Sequence, residues 1–167
     1  MAPDWHALHG SVKEHVGRST RQRLGPMSAA QFQRFAVAVG DLNPRYFDPE
    51  AAREQGFPGV VAPPLYLTSV LGWQAGPAED ELRPDGAESE VMAGVPLEGV
   101  RLMGAGQEVE LSHPVCDGTD VTLEVSVDDV ELKHGGSGQF LILRLLRRYL
   151  DDRGTELMRC RETFIAR

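Results

Sequence analysis

Few side chains in this 167-residue sequence combine reactive chemistry with a spacing that a fold could exploit. Asp41, Asn43 and Tyr46 put a carboxylate, an amide and a phenol close together. Carboxylates and phenols are groups that proton-transfer chemistry uses. Asp41 and Asn43 are equally good turn formers behind a helix, and Tyr46 equally suits packing beneath a sheet. His113 and His134 fall near strand ends with no partner at a fixed spacing, and read as exposed. Arg144, Arg147 and Arg148 could hold phosphate, although paired surface charge is the simpler reading. Cys116 and Cys160 lie far apart, with no CxxC pair and no histidine at metal spacing, so neither a metal site nor a disulfide is expected. Two buried thiols in a reducing compartment fit better.

Composition narrows the classes. At 167 residues, 41% hydrophobic and 25% charged, the chain fits one soluble domain, residues 1–167, with a core of its own. A net charge of −8 argues against a nucleic-acid partner, which would require a basic footprint. No apolar run approaches the ~20 residues that span a bilayer, so no membrane partner is expected. The opening MAPDWHALHG lacks the basic and apolar regions of a signal peptide. A cytoplasmic location is the expectation.

These side chains need elements to hold them. Up to Met27 the pattern is weak, and residues 12–24 could contain a short helix, a strand or both. Ser28 and Gln31 then form a capping box, and Phe32, Phe35, Ala36 and Val39 follow at i, i+3, i+4 and i+7. Gly40 supplies the left-handed residue that ends this helix. Pro44 blocks its continuation, and Asp48-Pro49-Glu50 reads as N-cap, first-turn proline and first-turn acid of a short helix to about Glu54. Pro63-Pro64 introduces Leu65, Tyr66, Leu67, Val70, Leu71 and Trp73, apolar nearly all round, as in a buried helix. From about residue 75 to 96, glycines, prolines and acids alternate, and a long flexible loop is expected.

The second half reads as four antiparallel strands. Val109 and Leu111 alternate with polar residues, as do Val121, Leu123, Val125 and Val127. Phe140–Tyr149 fits either a central strand or a helix stripe through Leu141, Leu145 and Tyr149, and turn signals on both flanks favour the strand. Asp151–Gly154 is a hairpin loop before a last strand, Glu156 to Ile165. Strands grouped after helices imply an α+β fold, a sheet wrapped on a helix.

Two segments carry a family likeness. FAVAVGDLNPRY, from Phe35 to Tyr46, resembles the FA-x-x-x-GD-x-NP-x-H signature of MaoC-like (R)-specific hydratases, and Pro114–Asp120 is similar to the family's P-x-x-x-GD turn with Thr119 inserted. Tyr46-Phe47-Asp48, Gly56-Phe57, Val61–Pro64, Gly106–Glu110 and Gly136–Gly138 further resemble the N-terminal MaoC-dehydratase (FAS1-like) subfamily. The resemblance implies a hotdog fold, with an antiparallel sheet around one long helix from Pro64 to about Trp73. It implies a homodimer, or a heterodimer with a catalytic MaoC-type subunit. It also implies enoyl thioesters of coenzyme A or acyl carrier protein as substrates, hydrated reversibly with no cofactor and no metal. A carboxylate on the central helix, as in hotdog thioesterases, is absent between Leu65 and Gln74.

In catalytic members of the family an Asp and a His five positions later hold the water, and a backbone N–H at the start of the central helix binds the thioester oxygen. Here those positions fall on Asp41 and Tyr46, with Asn43 between them. Tyrosine ionises about 3.5 units above histidine, which costs a base near neutral pH roughly 5 kcal/mol. The family's His-Gly pair falls on Ala62-Pro63, and proline has no N–H to donate. The resemblance therefore implies catalytic positions at Asp41 and Tyr46 in degenerate form, and an acyl-binding wall from Asn43, Ala62, Pro63, Pro64, Leu65 and Tyr66. The expected role is an acyl-binding, catalytically incomplete subunit. The alternatives are a self-sufficient hydratase using Asp41 with Tyr46, and a non-enzymatic acyl-thioester binding module.

Overall fold

A computed structural model describes residues 3–70, 79, 94–97, 99–136 and 138–167. The elements run α1 (Trp5–Lys13), β1 (Ser19–Pro26), α2 (Ala29–Val39), a 3-10 turn (Pro44–Tyr46), α3 (Pro49–Glu54), α4 (Tyr66–Ser69), β2 (Leu102–Leu111), β3 (Asp120–Gly135), β4 (Gly138–Leu150) and β5 (Glu156–Ala166). The strands form one antiparallel sheet in the order β1-β3-β4-β5-β2. The α+β class and the four expected strands are present, and β1 adds a fifth.

One face of the sheet carries the core. Along β4 the period of two buries Leu141, Leu143, Leu145, Arg147 and Tyr149. On β3, Val121, Leu123, Val125 and Val127 point the same way, and a bulge between Val127 and Asp129 returns Val130 to that face. Against one end of this face pack Phe32 of α2 and Tyr66, Leu67 and Val70 around α4. Against the other pack Val12 of α1, with Trp5 and Leu8, and Val95, Leu97 and Val100.

The helix signals are realised with small changes. Ser28 and Gln31 make the reciprocal capping box, and Gly40 takes the left-handed conformation at φ 75°. Of the apolar stripe, Phe32 and Ala36 are buried while Val39 is exposed. Asp48 caps α3 as its Asp-Pro-Glu signal requires. Of the helix expected from Pro64 to about Trp73, the described part is Tyr66–Ser69, with Tyr66 and Leu67 buried and both prolines ahead of it. Leu71, Trp73, Ser137 and almost all of the expected 75–96 loop lie outside the described residues.

The outer face of the sheet is laced by ion pairs. Glu124 on β3 meets Arg21 on β1 at 2.6 Å and Arg148 on β4 at 3.1 Å, and Arg148 continues to Glu156 on β5 at 2.7 Å. Arg144 bridges Asp129 and Glu131, each at 2.6 Å. The arginine group of β4 is therefore paired, as expected, although Arg147 turns to the core. The Arg21 guanidinium, helped by Arg148, holds the Glu124 carboxyl below the ordinary glutamate range; Lys133 and Arg144 do the same for Glu131. A carboxyl depressed in the folded state stabilises the fold above its unfolded value, and that contribution is lost as pH falls through the folded value. The melting temperature is accordingly expected to drop as pH is lowered below ~4.5. Raising salt to about 0.5 M should flatten that drop, because surface pairs are screened. Calorimetry at the two ionic strengths checks it, and parallel curves would discount the ladder.

Candidate functional site

Asp41 is placed by the end of α2. Behind left-handed Gly40, its amide donates back to the Ala36 carbonyl at 2.9 Å, closing the helix and leaving the carboxylate outside. The same carboxylate accepts the Asn43 amide at 3.3 Å, and the Asn43 side chain accepts the Arg45 amide at 3.2 Å, capping the 3-10 turn. That turn carries Tyr46 back toward Asp41. The Tyr46 hydroxyl donates to Asp41 Oδ2 at 3.2 Å and accepts from Arg45 Nη2 at 2.9 Å.

The Tyr46 ring is buried with Ala36 and Val61, and its hydroxyl reaches the carboxylate. The Arg45 guanidinium lies 5.0 Å from the Tyr46 ring centre and 5.8 Å from that of Phe57. With its proton committed to Asp41 and its oxygen to Arg45, the phenol holds a fixed chain, guanidinium to phenol to carboxylate.

The second group of expected residues forms the wall of a cavity of about 230 Å³. Ala62, Pro63, Pro64, Leu65 and Tyr66 all line it, with Leu67, Val61, Phe57, Val115, Leu157 and Met158 adding apolar surface. Arg45, Ser112 and His113 are the polar and charged residues of its lining besides Tyr66. Asp41, Asn43 and Tyr46 are not among the lining residues; Tyr46 adjoins the cavity through Val61 and through its hydrogen bond with Arg45.

The backbone where α4 begins explains much of this wall. The Ala62 N–H is consumed by the Val115 carbonyl at 2.8 Å, and Pro63 and Pro64 have none. Leu65 is the one non-glycine described residue with positive φ, 65°, a conformation that costs a branched side chain roughly 1–2 kcal/mol. The cost is borne because the turn swings Tyr66 inward. Its ring stands edge-on to Phe32 at 4.9 Å and to Phe35 at 5.8 Å, and its hydroxyl lies 3.2 Å from Gln31 Oε1. Burial pushes the Tyr66 phenol up to about 12, so it is neutral at physiological pH and locks α4 to α2.

Sequence reasoning missed Arg45, and it placed His113 near a strand end but not on the cavity wall. Arg45 sits on a three-residue turn too short to show a period, and its only signal is a charge enclosed by Pro44, Tyr46 and Phe47. His113 is exposed, as expected, but it also stands on the cavity wall. Its Nδ1 lies 2.8 Å from the Glu156 carbonyl and must donate, since a carbonyl only accepts, which leaves Nε2 as the open ring atom. Among the described residues no cluster of three or more His, Cys, Asp or Glu could hold a metal ion, and no helix is long and apolar enough to cross a membrane.

Known proteins resemble this chain throughout. The family described as FAS1-like, dehydratase domain region, matches residues 14–160. A UPF0336 protein of Streptomyces coelicolor is 26% identical over 82% of this chain and 81% of its own length. A probable enoyl-CoA hydratase alpha subunit of Thermomonospora curvata is 27% identical over 83% of this chain, and the match spans 45% of that subunit. Among solved structures, the ChsH1–ChsH2 complex of Mycobacterium tuberculosis aligns over 97% of this chain and 90% of its own, at TM-score 0.75 and 18% identity. A MaoC-like dehydratase from Rhodospirillum rubrum aligns over 90% of each chain at TM-score 0.61 and 23% identity. The match over residues 14–160, carried on a five-stranded hotdog sheet, means that the chain belongs to the FAS1-like dehydratase-region family of MaoC-like proteins.

Proposed function

We propose that this chain is the acyl-binding subunit of an enoyl-thioester hydratase or (3R)-hydroxyacyl dehydratase, and that it lacks a complete active site of its own. The observation that carries the reading is the separation of its two halves. An apolar cavity lies beside α4, while Asp41 faces a tyrosine outside that cavity. Water addition to an enoyl thioester requires a base poised at the reacting carbon and donors at the thioester oxygen. At the family's donor position, Pro63 has no N–H, and the Ala62 amide beside it is already used.

A partner would supply what is missing. Among the described residues strand β2 pairs with β5 only, and most of its residues are exposed, so its other edge offers a row of backbone groups to a second chain. The Thermomonospora curvata relative bears the name of an alpha subunit, and the ChsH1–ChsH2 and HadBC structures are of two-component complexes. These names favour a heterodimer with a competent MaoC-type subunit over a homodimer. The substrate is an acyl thioester of coenzyme A or of a carrier protein, handled in the cytoplasm. Co-expression with a hotdog subunit bearing an intact Asp-x-Asn-Pro-x-His is expected to yield a stable 1:1 complex by size exclusion and mass determination. Persistent elution of the two chains apart would count against the assignment.

A further inference from the structure

The cavity beside α4 contains a charge that its apolar lining does not explain. Of the described arginines that are at least partly buried, Arg144, Arg147, Arg148, Arg159 and Arg161 each meet a carboxylate within 4 Å. Arg45 is half-buried too, and among the described residues it meets none. Its side chain makes one hydrogen bond, from Nη2 to the neutral Tyr46 hydroxyl, and its Nε is buried without an acceptor. Aromatic rings flank it, and Asp41 is reached only through the phenol. A guanidinium withdrawn from water is unfavourable until a counter-charge arrives, and its planar fork suits two oxygens of one oxyanion. Arg45 is among the residues that line the cavity, as is His113, whose Nε2 remains open.

We propose that this cavity binds an oxyanion, a carboxylate or phosphate group of the ligand, with Arg45 as the residue that recognises it. This rests on the acyl-binding reading and adds to it: Arg45 selects among thioester ligands by their charged group, while the apolar wall takes the chain. Tyr46 and Phe57 keep the guanidinium in place, and Asp41, through Tyr46, fixes which nitrogen is spent and leaves Nη1 for the ligand.

Titration calorimetry with the full chain tests it, using hexanoyl-pantetheine as the neutral probe, hexanoyl-4′-phosphopantetheine as the phosphate probe and adipoyl-pantetheine as the carboxylate probe. At least one charged probe is expected to bind ten times or more tighter than the neutral one. Arg45→Met should abolish that preference, and Arg45→Lys should retain part of it. The probe whose advantage disappears in Arg45→Met identifies the group. Equal affinity of all three probes for the wild type, no binding of any charged probe, or a preference that survives in Arg45→Met would overturn the proposal. Should Arg45→Met fail to fold, the wild-type comparison and Arg45→Lys still decide. Acetyl-pantetheine separates the two ideas: loss of affinity with the shorter chain supports the acyl wall whatever Arg45 does, and no such loss removes that wall alone.

Discussion

The purified chain is expected to hydrate crotonyl-CoA at least a thousandfold more slowly than its complex with a competent MaoC-type subunit. The factor follows from two positions that the proposed reading treats as defects. A tyrosine where the reaction uses histidine raises the cost of a basic group at neutral pH by roughly 5 kcal/mol, about 3.5 powers of ten. In the structure that phenol also donates its proton to Asp41 and accepts from Arg45, which further commits it. Loss of one backbone donor to a developing oxyanion typically costs another ~10²–10³, and at the family's donor position stands Pro63. Either defect alone meets the stated factor or comes near it. The measurement is the disappearance of the enoyl-thioester absorbance with chain alone, partner alone and complex. Turnover by the chain alone within tenfold of the complex would sink the incomplete-site reading. Asp41→Asn would then reveal whether Asp41 runs the reaction with Tyr46's help.

How much of this was visible beforehand depends on where each signal resides. Helix α2 is written locally, in Ser28, Gln31 and Gly40, and it forms where those residues say. The faces of β3 and β4 are written in a period of two. Strand β1 is only weakly written: Ser19–Arg23 is polar and exposed, so a strand is one option among residues 12–24, and its strand identity comes from hydrogen bonding to β3, a tertiary effect. Helix α1 had its Asp4 cap and the stripe Trp5, Leu8 and Val12, but histidines and Gly10 dilute it, and its burial against β3 and β4 supplies the rest.

The site divides the same way. Of the residues expected in the acyl wall, Ala62–Tyr66 line the cavity and Asn43 does not, because a double proline before an apolar run fixes where that run can begin while Asn43 caps the 3-10 turn. Asp41 and Tyr46 meet because a tight turn separates them by five positions. The left-handed Leu65 has no local mark and Arg45 only a weak one, since both are consequences of how α4 and the 3-10 turn are packed.

Glu162→Ala is expected to destabilise the fold by about 3 kcal/mol, the cost of breaking a buried pair from one side. Along β4 the alternation that buries Leu141, Leu143 and Leu145 also buries Arg147, whose side chain is 4% exposed. Its Nε lies 2.6 Å from Glu162 on β5, itself 20% exposed. Around them are Cys160 and Tyr149, and burial raises the ionisation of both above their ordinary ranges. In such surroundings a guanidinium that loses this carboxylate is left with a large desolvation cost. Removing both charges at matched volume avoids that cost, so Arg147→Met with Glu162→Leu should lie within about 1 kcal/mol of the wild type. Urea unfolding at pH 7 with linear extrapolation reads both values. A double variant no more stable than Glu162→Ala would show that Arg147 holds the sheet through its other contacts and that the pair itself contributes little.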